Sequence, residues 1–136
     1  MSRENVEIVE IGFGALARGD FKGFFSILDD GVEWVNPSYA VEPGTRRGTG
    51  GFREALDRMR ASFGDIQLTV DEVVEAGETG VVVTGRWTGE GTGSGVRLET
   101  PFSSALTLRD GKVVRYEWFR DKAEALEATE GPAPPT

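Results

Sequence analysis

The side chains of this sequence that can hold a proton or a charge in place recur at a spacing of two. Tyr116, Trp118 and Arg120 alternate in DGKVVRYEWFR, Trp34 and Asn36 in VEWVN, and Phe102, Ser104 and Leu106 in PFSSAL. In an extended strand that spacing puts each set on one face. The phenol of Tyr116 or Tyr39 can donate a hydrogen bond to a developing oxyanion, and Asn36 and Ser104 add neutral polar contacts. Arg86 adds a cation inside a strand. An Arg aimed into an apolar cavity is costly unless paired, so it would require a carboxylate partner or an anionic ligand. The other reading open for this strand is an exposed Arg86 with Trp87 turned inward. Trp34, Trp118, Phe63 and Phe102 fit either a packed core or the walls of a ligand site.

The chain has no His and no Cys. That removes the commonest general base near neutral pH, the thiolate nucleophile, disulfides and Cys–metal sites. The acids near these strands are Glu33, Glu117 and Asp121. Alternation places Glu117 with Arg115 and Phe119, away from Tyr116. A slip of one residue would turn Glu117 inward and make it the only good general base. Asp121 is most simply a helix cap.

The elements that must position these groups follow from period and punctuation. Ser2 can cap a helix running to about Arg18, with Val6, Val9, Phe13, Leu16 and Ala17 on one stripe. Gly12 and Gly14 each cost that helix roughly 1 kcal/mol relative to Ala, so either a partner packs close there or the helix is poorer. Asp20 caps a short second helix from Phe21 to Leu28. Asp29-Asp30-Gly31 reads as a turn, and Val32 to Asn36 as a strand stopped by Pro37. A loop from Ser38 to Gly51 carries Arg46-Arg47, which would rim the mouth of any pocket. A third helix spans about Gly51 to Phe63, with Phe52, Leu56, Met59 and Phe63 on its stripe. The period then becomes two, giving strands over 66–75, 80–90, 95–108 and 112–120. They are linked by short Gly-containing turns as an antiparallel meander. Asp110-Gly111 signals a tight hairpin, because Gly supplies the positive φ that such turns need. Lys122 to Ala128 makes a last helix and 131–136 a frayed tail. Helices followed by a meander are an α+β plan in which the sheet buries its concave face against the helices. A pocket remains wherever the helices do not fill it.

The totals agree with one such domain, over about 1–130. The chain has 136 residues, 38% of them hydrophobic, with eight Phe and three Trp, enough for a single core. Its net charge of −8 repels phosphate backbones and anionic lipid, so neither nucleic acid nor membrane is an expected partner. No basic segment with an apolar core opens the chain, and no apolar run approaches the roughly 20 residues of a membrane span. A cytoplasmic protein is the expectation.

Three stretches, ALARGDFKGFFSILDDGVEWVNP, TRRGTGGFREAL and GSGVRLETPFSSALTLRDGKVVRYEWFRDKAEALEA, fit together. From about Asn5 to Ala128 the chain resembles the SnoaL-like branch of the NTF2-like superfamily. The resemblance implies an α+β cone: about three N-terminal helices packed on a curved antiparallel sheet, a deep apolar pocket, and frequently a homodimer. By position it implies that Trp34, Asn36, Phe63, Arg86, Phe102, Ser104, Tyr116, Trp118 and Arg120 look inward. Of these, Asn36, Arg86, Ser104 and Tyr116 would serve catalysis, and Trp34, Phe63, Phe102, Trp118 and Arg120 would bind substrate. The superfamily includes polyketide cyclases, ketosteroid isomerases, limonene epoxide hydrolases and scytalone dehydratases, so fold alone does not fix the reaction. The base, tyrosine and oxyanion-hole aspartate of the isomerases fall on Asn36, near Gly12 or Phe13, and near Ser104. Asn36 and Arg86 match the epoxide hydrolases, but Trp34, Thr88 and Trp118 replace their tyrosine and two aspartates. The expected partner is a small, largely apolar molecule that is bound and cyclised, isomerised or hydrated without metal or organic cofactor. The rival reading is a non-catalytic binding or dimerisation module.

Overall fold

A computed structural model describes residues 2–40, 43–63, 67–90 and 97–130. Helices α1 (Ser2–Ala17), α2 (Phe21–Phe25) and α3 (Gly48–Phe63) surround strands β1 (Leu28–Asn36) and β2 (Gly44–Arg47) in the chain. Strands β3 (Gln67–Ala76), β4 (Gly80–Glu90), β5 (Arg97–Arg109) and β6 (Lys112–Phe119) follow, and α4 (Lys122–Glu130) closes the described chain. The six strands form one sheet in the order β2-β1-β6-β5-β4-β3. Neighbours are antiparallel except β1 and β6, which run parallel.

The main core lies between α1–α3 and the inner face of the curved sheet. Val9, Phe13 and Leu16 of α1 and Phe52 and Leu56 of α3 are buried there, against Val81, Val83, Leu106 and Val113. Ala17 leaves the expected α1 stripe and is exposed, while Ala15 is buried. Gly12 answers the close-approach alternative, because the Ile27 side chain occupies the place that a Cβ would need. A smaller core of Ala76, Val82, Ala105 and Ala125, joined by Val74, Phe119 and Leu126, lies under α4 on the outer face. Among the described residues no helix is long and apolar enough to cross a membrane.

Caps and the last hairpin form as their residues dictate. Asp20 accepts from the Gly23 N–H at 2.9 Å, and Asp121 from the Glu124 N–H at 2.9 Å. Asp110 and Gly111 have φ of 53° and 77°, the two positive values of a two-residue hairpin turn. The turn at 91–94 and the tail at 131–136 lie outside the described residues.

Three local expectations are corrected. The second helix stops at Phe25, and Leu28 opens β1 instead of ending a helix. Asp29-Asp30-Gly31 is not a separate turn but an irregularity within β1, whose register against β6 shifts between Leu28 and Glu33. Its turn chemistry is nevertheless present, since the Gly31 N–H donates to the Asp29 carboxylate at 2.8 Å. Gly44–Arg47, read as loop, pairs with β1 as an edge strand. A β-bulge between Thr107 and Leu108 in the β5–β6 pairing sets Val113 against Leu108 and Arg115 against Thr107, leaving Val114 over. Val113 therefore enters the main core although strict alternation from Tyr116 would turn it outward.

Candidate functional site

Between α3, β2 and the inner face of β1, β6, β5 and β4 lies a cavity of about 420 Å³. Trp34, Trp87, Phe102, Tyr116 and Trp118 line it, with Ala55 of α3 opposite and Asn36 among them. The parallel pairing of β1 with β6 sets Trp34 beside Tyr116. Two residues further along both strands, Asn36 meets Trp118. Both indoles donate to one oxygen: Trp34 Nε1–H and Trp118 Nε1–H reach Asn36 Oδ1 at 2.7 and 2.6 Å. Asn36 thus joins two cavity walls through a single amide.

Tyr116 and Ser104 are diagonal neighbours across β5 and β6, where Leu106 pairs with Tyr116 and Ser104 with Trp118. The Ser104 hydroxyl donates to the Tyr116 phenol at 2.7 Å, and both residues are buried. Burial pushes the Tyr116 phenol up to about 12, against a smaller lowering by the Ser104 hydrogen bond. At neutral pH this phenol is a hydrogen-bond donor and not a base. Phe52 and Trp34 fix its ring, at centroid distances of 5.4 and 4.7 Å.

Three guanidinium residues complete the lining: Arg46 from β2, Arg58 from α3, and Arg120 just beyond β6. Arg46 Nη1 meets Glu54 Oε1 at 2.7 Å, and Arg58 Nη2 meets the same oxygen at 3.6 Å. The Arg46 hydrogen bond and charge hold the Glu54 carboxyl below its ordinary range. Arg120 lies 4.0 Å over the Tyr39 ring and pairs with Glu124 at 3.1 Å. The Tyr39 hydroxyl accepts from the Arg120 backbone N–H at 2.8 Å and donates to Glu124 at 3.1 Å.

The cavity therefore gathers Trp34, Asn36, Phe102, Tyr116, Trp118 and Arg120 from the residues singled out in the sequence, with Ser104 hydrogen-bonded directly behind Tyr116. Phe63 belongs to α3 by its backbone, and its side chain lies outside what is described. Arg86 is not part of the site. It lies on the outer face of β4, paired with Asp71 at 3.3 Å and Glu99 at 3.7 Å. Val81, Val83 and Trp87 belong to the inner side, so the alternative with Trp87 inward is the one adopted. An exposed Arg between two carboxylates needs no anionic ligand. Asn36 and Arg86 consequently do not form the pair that likeness to the epoxide hydrolases implied. Glu117 also keeps to the outer side, meeting Arg115 at 3.3 Å. Among the described residues no Asp or Glu lines the cavity, and no cluster of acids could hold a metal ion. Arg58 is the lining residue least visible in the sequence. Its one signal is a three-residue step from Ala55, which puts both on one side of α3.

A helix-roofed, curved sheet around an aromatic hollow defines an α+β pocket protein of the NTF2-like type. The chain belongs to the SnoaL-like domain family, whose profile matches residues 9–116. TerC, in a crystal structure with polyporic acid, is 28% identical, with a TM-score of 0.73 over 94% of this chain and 99% of TerC. An NTF2-like protein from Burkholderia xenovorans LB400 is also 28% identical, with a TM-score of 0.66 over 96% of this chain and 98% of its own. A candidate SnoaL-like polyketide cyclase from Jannaschia sp. CCS1 is 25% identical, with a TM-score of 0.71 over 98% of this chain and 95% of its own. A comparison with curated protein sequences returned no match.

Proposed function

We propose that this protein binds a small, largely apolar molecule in the cavity, with Trp34, Phe102 and Trp118 as walls and Tyr116, backed by Ser104, as the polar contact at its buried end. The observation that carries the reading is a hollow of about 420 Å³ with Trp34, Trp87, Phe102, Tyr116 and Trp118 in its lining, within the size and character of small-molecule sites. The presence of polyporic acid in TerC crystals supports a small-ligand role for this architecture. The size of the hollow speaks against a vestigial cone plugged by its own side chains.

A reaction in this cavity would use the neutral Tyr116 phenol to stabilise an oxygen that gains charge, as in a cyclisation in which an acidic substrate enters already as its enolate and attacks its own carbonyl. The resulting alkoxide takes its proton from water, so that no protein base is needed. No metal or organic cofactor is invoked. Hydration is the less supported chemistry, because Asn36 Oδ1 already receives two indole donors and, among the described residues, no carboxylate lines the cavity to activate water. That same lining favours a second reading, a carrier that binds without turnover. Homodimerisation through the sheet and a cytoplasmic location complete the proposal. Light scattering on the eluting protein checks the first of these.

Binding is tested by thermal shift and indole fluorescence with a panel of two-ring and three-ring aromatic compounds. Ligands should raise the melting temperature in proportion to ln(1 + [L]/Kd) and perturb Trp34 and Trp118 emission. A panel that moves neither signal at millimolar concentration overturns the reading. Among ligands that bind, chemical change that disappears in Tyr116→Phe identifies an enzyme, and unchanged ligand identifies the carrier.

A further inference from the structure

The charge of the cavity is opposite to that of the chain. Asp and Glu outnumber Lys and Arg by 23 to 15 in the whole sequence, yet the lining holds Arg46, Arg58 and Arg120 and, among the described residues, no carboxylate. Exposure gives this arrangement a direction. Trp34, Phe102 and Tyr116 are buried, whereas the side chains of Arg46, Arg58 and Arg120 are 24%, 59% and 66% exposed. The arginines thus form the open end and the aromatic rings the closed end.

We infer that the preferred ligand is an anion with a flat apolar body: an aromatic molecule carrying a carboxylate, or an equally acidic enol, at the end that stays near the arginines. This rests on the small-molecule reading above and narrows it. A guanidinium presents a planar fork matched to a carboxylate, and one that sits beside aromatic rings recognises an anion and a π-face together. Each guanidinium already meets an acid of the protein, Glu54 for Arg46 and Arg58 and Glu124 for Arg120. Those acids position the forks, and the pairs of Arg58 and Arg120 do not close the site, because exposed ion pairs are weak and exchange readily for a better-placed carboxylate. Both contacts to Glu54 converge on one oxygen, Oε1. An incoming carboxylate would relieve that sharing by taking one fork for itself. The ligand then lies with its charge outward and its far end against Tyr116.

The test compares 4-phenylbenzoate with 4-phenylbenzamide, which share an outline and differ in charge, by calorimetry at pH 7 in low and high salt. The carboxylate should bind at least tenfold more tightly than the amide, and added salt should narrow the gap. In Arg58→Gln and in Arg120→Gln, both at exposed positions and each confirmed as folded by circular dichroism, the preference for the carboxylate should fall several-fold. Equal binding of the two compounds overturns the anion assignment and leaves the cavity reading intact. A preference that survives replacement of Arg46, Arg58 and Arg120 together also overturns it, because the charge is then read elsewhere. Failure of both compounds, together with the neutral aromatic panel, removes the small-molecule reading as well.

Discussion

Strands β5 and β6 separate two hollows of similar size and opposite character. On the inner side lie Phe102, Ser104, Tyr116 and Trp118, around a cavity of about 420 Å³. On the outer side Ala105, Thr107, Arg115 and Glu117, with Glu127, Ala128 and Thr129 of α4, line a hollow of about 510 Å³, with no aromatic ring among the described residues of its lining. The inner polar groups of these two strands, Ser104 and Tyr116, are neutral and meet in a short hydrogen bond in a buried setting. The outer ones include an exposed Arg115 paired with a half-buried Glu117. Neighbouring residues contribute to both, so position in the pleat separates a ligand site from solvated surface. A side chain able to do chemistry counts only on the face that water has left.

Substitutions on the two faces should therefore differ in size. The largest loss is expected for Trp34→Ala, which removes ring contacts to Phe52 and Tyr116 at 4.8 and 4.7 Å. Denaturant unfolding should show a loss of about 3–5 kcal/mol, as for other large-to-small changes in cores, and a loss below 1 kcal/mol would mean that the inner wall is not a packed unit. Next comes pH. The Tyr116 phenol is raised in the folded chain from 10.0 to about 12, so its contribution is complete below pH 10 and is lost as pH rises through 12. Relative to Tyr116→Phe, the native protein should lose about 3 kcal/mol across that window. Parallel pH profiles of the two proteins would contradict the burial of this hydroxyl.

Asn36→Leu takes the shared acceptor from two indole N–H groups. A cost of about 2 kcal/mol is expected for leaving such donors unpaired, with a changed near-ultraviolet circular dichroism of the tryptophans. An unaltered spectrum would sink the idea of a joint anchor. The smallest effects belong to the outer face. Arg86→Ala and Arg115→Ala should each cost less than about 1 kcal/mol, as solvent-screened ion pairs do, and should leave ligand affinity as it was. A tenfold loss of affinity in either would erase the contrast between the faces.

Much of this contrast was legible in the residues. Phe102 with Ser104, Trp34 with Asn36, and Tyr116 with Trp118 keep their expected faces, because each set contains a bulky ring that needs burial at a fixed two-residue step. Arg86 against Trp87 was not legible. The preceding Val81, Val82 and Val83 are all buried, since the main core takes one side of β4 and the core under α4 the other. A run buried on both faces carries no parity to extend. The bulge at Val114 and the four-residue edge strand GTRR were hidden for a related reason: each depends on its neighbour strand and has no pattern of its own. Turn chemistry at Asp29-Asp30-Gly31 was real, but tertiary pairing embedded it in a strand.

Gly85 faces Phe102 across β4 and β5. A methyl group there would stand 2.9 and 3.1 Å from two carbons of that ring and would also strike the Thr69 carbonyl. The bare backbone at this spot sets how far the phenyl group can recede, and so how deep the chamber is. Chamber depth is thus governed from beneath its floor, by a residue no guest would touch. An alanine there would push the Phe102 ring into the chamber and make it shallower without changing the chemistry of any side chain that meets the guest.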